Sequence, residues 1–318
     1  MLDIAIILPA YNEELTIAAT IEAFHKAMPS ARIYVVNNNS SDRTVEFASE
    51  MMDRLNMTGG IIQEFRQGKG NAMRRAFLEI DADIYVMADA DMTYPPDQIN
   101  ELIAPVAEGR ADMVNGDRLS AGDYDRENKR PLHNFGNWLV QRLVNYVSKS
   151  NIADIMTGYR ALSRTFVKTY PVLAEGFQIE TEMTIFAALF RFNIVDIPIR
   201  YTNRPVGSYS KLRTYRDGMR VLKTIFNLFR YYKPLSFFTL LAVLLAFLGF
   251  MLGLPVIWEF FNTGYIQHLP LAVLATGIEV IAVVTFGVGL NLDSIAYHRR
   301  LDTEKNIQRH ITPRYKKN

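Results

Sequence analysis

Short apolar runs alternate with longer amphipathic segments through the first 117 residues of the chain. The apolar runs predict β-strands at residues 4–8, 33–36, 61–65, 84–88 and 113–115. Apolar residues at helical spacing predict α-helices at residues 13–28, 42–55, 70–80 and 97–108. Strands that alternate with helices of this length form βαβ units, so we expect an α/β domain with a mostly parallel sheet.

Polar clusters directly follow several of the predicted strands, at residues 9–14, 37–42 and 89–91. Ligands of parallel sheets bind beyond the carboxyl ends of the strands. The clusters should therefore meet at one edge of the sheet, where we predict the functional site. Farther along, the pattern predicts a helix at 132–148, a helix at 177–192, a strand at 194–199 and a loop rich in Gly, Ser and basic residues at 203–212.

Two long apolar blocks, at residues 235–258 and 269–292, change the expected class of the protein. Each could cross a hydrocarbon layer of about 30 Å at about 1.5 Å per residue. Lys and Arg residues flank the outer ends of the pair, whereas the connection at 259–268 contains neither. The positive-inside rule then predicts a transmembrane hairpin with both ends in the cytoplasm. The alternative is a pair of buried helices in a soluble protein.

Residues 215–232 combine apolar positions at helical spacing with interleaved Arg and Lys residues. This pattern predicts a basic amphipathic helix on an anionic membrane surface, with an ordinary surface helix as the alternative. The predicted domains are a catalytic-type α/β domain at 1–212, a juxtamembrane helix at 213–233, a hairpin at 234–292 and a basic cytoplasmic tail at 293–318.

Composition narrows the possible functions. The net charge of +2 gives no reason to expect a nucleic-acid partner. The chain contains no cysteine, which excludes disulfides, thiolate metal ligands and cysteine nucleophiles. The first residues lack the basic segment and the apolar length of a signal peptide, so we expect a cytoplasmic N-terminus.

Asp89 and Asp91 follow the predicted strand at 84–88. Two carboxylates one residue apart at a strand end can both reach one divalent cation. Mg²⁺ and Mn²⁺ prefer oxygen ligands and also bind phosphates. We therefore predict a metal site at Asp89 and Asp91, with solvated loop acids as the alternative.

Several motifs together resemble family 2 glycosyltransferases, which have the GT-A fold. They are the stretches at residues 9–14, 39–44, 68–70 and 89–91. The segments at 154–160 and 203–212 are similar to those of dolichol-phosphate mannose synthases and bacterial undecaprenyl-phosphate glycosyltransferases. The resemblance runs from about residue 4 to residue 212. It implies a Rossmann-like GT-A catalytic domain followed by the amphipathic interfacial helix and the two-helix transmembrane hairpin.

The resemblance also implies which residues bind the donor nucleotide. They are Pro9, Tyr11, Glu13, Asn37, Asn38, Gly68, Lys69 and Asp89. Gly68 would let the chain approach the nucleobase, with a plain turn before a helix as the alternative. Family members usually have Asp near position 37, but a carboxamide oxygen such as that of Asn37 can accept the same hydrogen bond. A second departure is Thr93, where several lipid-phosphate members have Gln beside the metal.

Catalytic roles are implied for Asp154, Arg204 and Lys211, and acceptor-phosphate contacts for Arg118 and Arg160. Guanidinium and ammonium groups suit phosphate oxygens, so Arg204 and Lys211 would hold the diphosphate or the lipid phosphate. Solvated loop cations are the alternative for these two, and structural salt bridges for Arg118 and Arg160. Asp154 would orient the acceptor, or support the positive charge that builds at the sugar carbon, rather than act as a strong base. A phosphate monoester with a second pKa of about 6 is already ionised.

The implied activity is inverting transfer of a sugar from a nucleotide-sugar to a polyprenyl phosphate, with Mg²⁺ or Mn²⁺ as cofactor. The bacterial group favours a UDP-sugar carrying N-acetylglucosamine or glucose. The hairpin would place the enzyme in the inner (plasma) membrane, and a homo-oligomer or a membrane-protein partner stays open. Alternatives are transfer to a lipid-linked oligosaccharide or glycan, and an inactive domain that serves as a membrane scaffold.

For three acidic residues the sequence allows more than one role. Glu180 and Glu182 flank the region of Asp154 in the family pattern, or they lie on a helix surface. Glu279 lies within the second apolar block, where a charged carboxylate costs a few kcal/mol. It is protonated, faces the other helix, or contacts a partner.

Overall fold

The structure is a computed structural model that describes residues 2–120, 141–142, 145, 152–202, 223, 226–227, 229–231 and 233–311. Two compact units are present, one formed by residues 1–224 with 305–318 and the other by residues 225–304. The predicted loop at 203–212, most of the predicted helix at 215–232 and nearly all of the predicted helix at 132–148 lie outside the described residues.

The first unit is built on a seven-stranded sheet with the order β3-β2-β1-β4-β6-β5-β7. The strands are β1 Ile4–Ala10, β2 Arg32–Asn37, β3 Gly59–Gln63, β4 Ile84–Met87, β5 Met113–Asp117, β6 Arg160–Ser163 and β7 Ile194–Pro198. All neighbours pair in parallel except β6, which runs antiparallel to both β4 and β5. The predicted mostly parallel α/β fold is therefore confirmed, whereas β6 was not predicted.

Helices cover both faces of this sheet. They are α1 Ile17–Ala27, α2 Thr44–Arg54, α3 Lys69–Glu79, α4 Ile99–Ala107, α5 Arg164–Thr169 and α6 Ile179–Leu189, with a 3₁₀ turn at Pro96–Gln98. Alternate residues of β1 face opposite layers, as the pleat of a strand requires. Ile6 and Leu8 belong to the apolar cluster with α1, α2 and α4, and Ala5 and Ile7 belong to the cluster with α3 and α6. The sheet is thus buried on both sides, and its strand ends are left for the site.

The second unit contains the long apolar helices α7 Pro234–Thr263 and α8 Leu269–His310. Both are long and apolar enough to cross a membrane. In the most apolar 18-residue stretch of each helix, only 17% of α7 and 11% of α8 is buried. The core helices of soluble proteins are mostly buried, so these two helices differ from them. Their length, composition and exposed apolar surface fit membrane association.

The two helices of the second unit pack through small residues. A Cβ added at Gly249 on α7 would lie 2.7 Å from Glu279 Oε1, so this carboxyl group faces the other helix. A Cβ added at Gly289 on α8 would lie 2.7 Å from the Cβ of Phe238. The last turns of α8 belong to the first unit, where Ile307 is buried among apolar residues and Thr165 Oγ1 donates to the His310 carbonyl.

Candidate active site

The carboxyl ends of β1, β2 and β4 form one edge of the sheet, as the sequence predicts. Beyond each of these strands the chain turns through a residue with positive φ: Asn12 at 53°, Asn39 at 61° and Met92 at 63°. Asn adopts this left-handed conformation more readily than most residues, whereas Met does so at a cost. The turns bring the three polar clusters of the sequence together.

Hydrogen bonds join the loop after β1 to the loop after β2. The Asn12 amide N–H donates to Ser40 Oγ at 3.0 Å, and the Glu13 amide N–H donates to Thr44 Oγ1 at 2.8 Å. Tyr11 Oη accepts from Gln67 Nε2 at 3.2 Å, and Pro9 and Tyr11 stay partly exposed. The loop with the expected donor-binding residues is therefore held in place before any ligand binds.

The carboxamide groups of Asn37 and Asn38 form hydrogen bonds within the protein. Asn37 Nδ2 donates to Gln63 Oε1 at 2.7 Å, and its Oδ1 accepts from the Ser40 amide at 3.1 Å. Asn38 Oδ1 accepts from the Gly68 amide at 2.6 Å. Gln63, at the end of β3, was not singled out from the sequence. Its position one strand along the same edge is the signal that could have identified it.

Gly68 and Gly70 are required by close backbone packing. A Cβ at Gly68, where φ is 128°, would lie 2.2 Å from the Glu175 carbonyl oxygen. A Cβ at Gly70 would lie 1.9 Å from the Ala174 carbonyl oxygen. These glycines therefore allow the start of α3 to contact the 174–175 backbone in this structure.

Lys69, Asp89 and Glu180 form a buried ion cluster. Lys69 Nζ lies 2.5 Å from Asp89 Oδ1 and 2.7 Å from Glu180 Oε1, and the lysine side chain is 7% exposed. Burial alone would lower the pKa of Lys69, but the charges of Asp89 and Glu180 outweigh burial and raise it. The ammonium group therefore stays charged and holds the Asp89 carboxylate in one orientation.

Gly158 closes one side of the buried ion cluster. A Cβ at this position would lie 2.8 Å from Asp89 Oδ2 and 2.8 Å from Lys69 Nζ. The Gly158 amide N–H donates to Tyr94 Oη at 2.7 Å, which fixes the chain there. A side chain larger than hydrogen would push against both charged groups.

Asp91 lies deeper than Asp89 and is only 2% exposed. Its Oδ1 accepts from the Thr93 amide at 3.1 Å and from Thr93 Oγ1 at 2.5 Å. Within the part of the chain that the structure describes, no group of three or more His, Cys, Asp or Glu residues could hold a metal ion. The carboxylates of Asp89 and Asp91 are oxygen ligands of the kind that Mg²⁺ and Mn²⁺ prefer, so the residue types present fit a divalent cation.

Asp154 and Arg118 form a bidentate ion pair. Arg118 Nε lies 2.7 Å from Asp154 Oδ2, and Arg118 Nη2 lies 3.1 Å from Asp154 Oδ1. Both side chains are 10% exposed or less, and the Arg118 guanidinium lies over the Tyr201 ring at 5.5 Å. The structural salt bridge considered for Arg118 is present, and its partner is the carboxylate expected to be catalytic.

Arg160 lies entirely inside the protein, away from any phosphate that binds at the surface. Its Nη2 donates to the Ile155 carbonyl at 2.6 Å, its Nε to the Thr157 carbonyl at 3.0 Å and its Nη1 to Thr184 Oγ1 at 2.9 Å. Burial lowers the pKa of this guanidinium from its ordinary value. The residue supports the segment between Asp154 and Gly158.

Glu180 and Glu182 point into the protein rather than outward from a helix surface. Glu182 Oε2 accepts from Tyr170 Oη and from the Ala174 amide, each at 2.8 Å. Burial raises the pKa of Glu182 from its ordinary value. Glu182 thereby fixes the segment against which Gly70 packs. Arg204 and Lys211, the two expected loop cations, lie outside the described residues.

Comparisons with known proteins agree with this architecture. The model of the family described as "Glycosyl transferase family 2" matches residues 5–170. Glycosyltransferase AglJ of Haloferax volcanii is 30% identical over 288 residues, which cover 90% of this chain and 90% of that protein. Dolichyl-phosphate hexose transferase of the same organism is 29% identical over 223 residues, or 70% of this chain and 92% of that protein.

Solved structures show the same fold. Glucosyl-3-phosphoglycerate synthase from Mycobacterium tuberculosis, in complex with Mn²⁺, UDP-glucose and phosphoglyceric acid, aligns with a TM-score of 0.52 at 19% identity. The alignment covers 71% of this chain and 79% of that one. The predicted GT-A-like fold is confirmed. This chain is a glycosyltransferase, and it belongs to glycosyl transferase family 2.

Proposed function

We propose that this enzyme transfers a sugar from a nucleotide-sugar to a polyprenyl phosphate at a membrane surface. The observation that carries the proposal is that one chain combines the Asp89–Asp91 strand end with two long, exposed apolar helices. A lipid-linked acceptor explains why a glycosyltransferase has such helices. The similarity to a protein named dolichyl-phosphate hexose transferase supports the same acceptor class.

Donor binding is assigned to the loops after β1 and β2, with Pro9, Tyr11 and Glu13 along the nucleoside. Asn37 and Asn38 would shape the base pocket, because their carboxamides already tie this edge to Gln63 and Gly68. We favour a UDP-sugar, with N-acetylglucosamine or glucose as the sugar.

Asp89 and Asp91 would hold Mg²⁺ or Mn²⁺. The cation supplies positive charge for the diphosphate that leaves. Lys69 contributes by holding the Asp89 carboxylate in place from the interior side, at 2.5 Å. We therefore assign Lys69 to positioning the carboxylate rather than to contact with the nucleotide.

The acceptor phosphate needs orientation more than deprotonation. A phosphate monoester has a second pKa of about 6, so its oxygen is already a nucleophile at neutral pH. Asp154 is held by two bonds from Arg118 and is 3% exposed, which disfavours a role as a mobile general base. Asp154 would instead fix Arg118 at the acceptor side. Arg160 is assigned to supporting this loop.

The reaction is a single displacement. An oxygen of the polyprenyl phosphate forms a bond to the sugar C1 as the bond from C1 to the donor diphosphate oxygen breaks. The nucleoside diphosphate leaves with that electron pair, and the configuration at C1 inverts. Positive groups aimed at the developing charge lower the barrier, and we assign Arg204 and Lys211 to this role from their motif alone.

The proposed membrane arrangement follows the charge distribution of the sequence. The catalytic domain at 1–212, the juxtamembrane helix at 213–233 and the tail at 293–318 would lie on the cytoplasmic side of the inner membrane, with the hairpin at 234–292 spanning it. Residues 293–310 of this tail are helical, since α8 continues to His310.

The test uses the full chain in detergent with Mg²⁺ or Mn²⁺, undecaprenyl phosphate and a panel of radiolabelled UDP- and GDP-sugars. We expect label from one donor to enter the organic phase in an acid-labile form. Asp91→Asn should lower this rate at least about a hundredfold. Asp97→Asn, the same chemical change at an exposed carboxylate, should leave it unchanged.

Two outcomes contradict the proposal. Full activity of Asp91→Asn, or in excess chelator, would refute the metal site. Transfer to a lipid-linked oligosaccharide with none to undecaprenyl phosphate would refute the acceptor while leaving the fold and the metal site unaffected.

A further inference from the structure

A cavity of about 210 Å³ lies within the hairpin unit, between the start of α7 and the middle of α8. It is lined by Arg230, Tyr231, Pro234, Phe238, Leu292, Ile295, Ala296 and Arg299. All of these residues belong to the unit of residues 225–304. None of the lining residues is among those assigned to sugar transfer.

Two guanidinium groups, those of Arg230 and Arg299, line this cavity. Arg230 Nη2 donates to Tyr231 Oη at 2.9 Å, and the guanidinium lies 4.8 Å from the centre of that ring. Among the described residues, neither Arg230 nor Arg299 forms an ion pair with Asp or Glu. Unpaired guanidinium groups bind phosphate oxygens strongly, often through two parallel hydrogen bonds.

The start of α7 adds a third feature that favours an anion. The helix begins at Pro234 and has no acidic residue in its first turn, and no side chain among the described residues caps its amide groups. The amides of a first turn are unpaired within the helix and carry partial positive charge. A negatively charged group in the cavity would accept hydrogen bonds from these amides and compensate their partial positive charge.

The remaining walls are apolar. Phe238 on α7 and Leu292, Ile295 and Ala296 on α8 form them, and Ile295 is 51% exposed. A free inorganic anion gains nothing from such walls, whereas a phosphate that carries a hydrocarbon chain can bury that chain against them. The cavity thus combines positive charge at one side with apolar surface at the other.

We propose that this cavity binds the phosphate headgroup of a membrane lipid through Arg230 and Arg299, with the lipid chain along Phe238 and Ile295. The inference rests on the membrane placement of the hairpin in the proposed function. Anionic phospholipids and polyprenyl phosphates share the required chemistry. Occupation by either one would tie the start of α7 to the headgroup layer.

The test measures lipid binding to the purified full chain in non-ionic detergent by native mass spectrometry. The probes are phosphatidylglycerol, undecaprenyl phosphate, phosphatidylcholine and inorganic phosphate, each titrated alone. We expect one tightly bound phosphatidylglycerol or undecaprenyl phosphate per chain. The tighter of the two identifies the source of the phosphate, and phosphatidylcholine and inorganic phosphate should bind at least about tenfold more weakly.

Variants distinguish lipid binding in the cavity from nonspecific attraction to positive charges nearby. The double variant Arg230→Gln/Arg299→Gln should lower the affinity for the first bound lipid at least about tenfold. Lys233→Gln/Arg300→Gln removes two neighbouring charges that do not line the cavity and should change binding less than about twofold. Ile295→Glu keeps both arginines and adds a negative charge at an exposed wall position, so it should also weaken binding.

Equal losses in the two double variants, or equal binding of inorganic phosphate and lipid, would overturn the proposal. The outcome is independent of the catalytic assignment, because binding is read without a sugar donor. Retained lipid binding in a preparation that transfers no sugar to any lipid would overturn the proposed function and support the cavity.

Discussion

The buried ion cluster offers the sharpest test of how the site is built, through the substitution Lys69→Met. Methionine has a similar length and fills the same space without charge. The substitution leaves the Asp89 and Glu180 carboxylates without the ammonium group that lies 2.5 Å and 2.7 Å from them. Among the described residues Glu180 Oε2 has no hydrogen-bond partner, so this carboxylate would be left buried and poorly compensated.

The expected cost follows from the burial of the pair. Removing one partner of a buried ion pair destabilises a protein by about 3–5 kcal/mol, because the other charge stays desolvated. For domains of 150–250 residues each kcal/mol lowers the unfolding temperature by about 2–4 °C. Lys69→Met should therefore unfold about 6–20 °C below the wild-type chain. The exposed Lys26 provides a control, since Lys26→Met should shift the unfolding temperature by about 1–2 °C at most.

The assay is thermal unfolding of the detergent-solubilised chain in chelator and then with added Mn²⁺. In chelator, Lys69→Met/Glu180→Gln should be more stable than Lys69→Met alone, because it removes one of the two uncompensated carboxylates. With Mn²⁺, Lys69→Met should gain more stability than the wild type. The cation then supplies the positive charge that Asp89 has lost, and ligands that bind the folded state stabilise it by mass action.

Two results would refute this reasoning. If Lys69→Met unfolds at the wild-type temperature in chelator, the buried ion cluster does not stabilise the fold. If Mn²⁺ stabilises both proteins equally, Lys69 does not act on the carboxylate of Asp89 at the proposed metal site, and its assignment as a positioning residue is wrong.

Further predictions concern the neighbourhood of this cluster. Arg160→Lys loses donors to two backbone carbonyls, so it should lower the unfolding temperature by several degrees while the KM for the lipid acceptor, measured in steady state, stays unchanged. Gly158→Ala should reduce kcat at least about tenfold in the radiolabel assay, because its Cβ would lie 2.8 Å from two charged groups of the buried ion cluster. The Arg66 guanidinium holds the pKa of Glu64 at about 2, against about 4.3 in an unfolded chain. Because the folded pKa is the lower one, the stabilisation that Glu64→Gln removes is present above about pH 4.3, and melting curves of variant and wild type should converge as the pH falls toward 2.

The local pattern of apolar residues was sufficient to predict most strands of the parallel sheet. The strands β1 to β5 each contain at least two consecutive apolar residues and alternate with helical segments, and apolar runs are typical of parallel strands. The β6 strand, Arg160–Ser163, was missed because it is four residues long and begins with a charged residue. Only its insertion between β4 and β5 makes it a strand, and that pairing joins distant parts of the chain.

The candidate site divides in the same way. The order of residues was enough to place Asp89 and Asp91 just after β4, because that position depends only on the nearby chain. Their binding of a cation stays a prediction. The sequence placed Lys69 beside the nucleotide and Arg160 beside a phosphate. The tertiary structure places Lys69 between Asp89 and Glu180, and surrounds Arg160 with backbone carbonyls. The sequence shows that a residue is Lys or Arg, but it does not show whether a ligand or a group of the protein pairs with its charge.

The sequence by itself determined the α/β class, the apolar helices and the strand-end carboxylates, because these depend on periodicity and composition over short distances. Tertiary structure alone decided that Arg118 pairs with Asp154, that Glu182 fixes the segment facing Gly70, and that Arg230 and Arg299 line one cavity. Each of these facts depends on which side chains meet across the fold. Burial then sets whether a charge is free for substrate or is neutralised inside the protein.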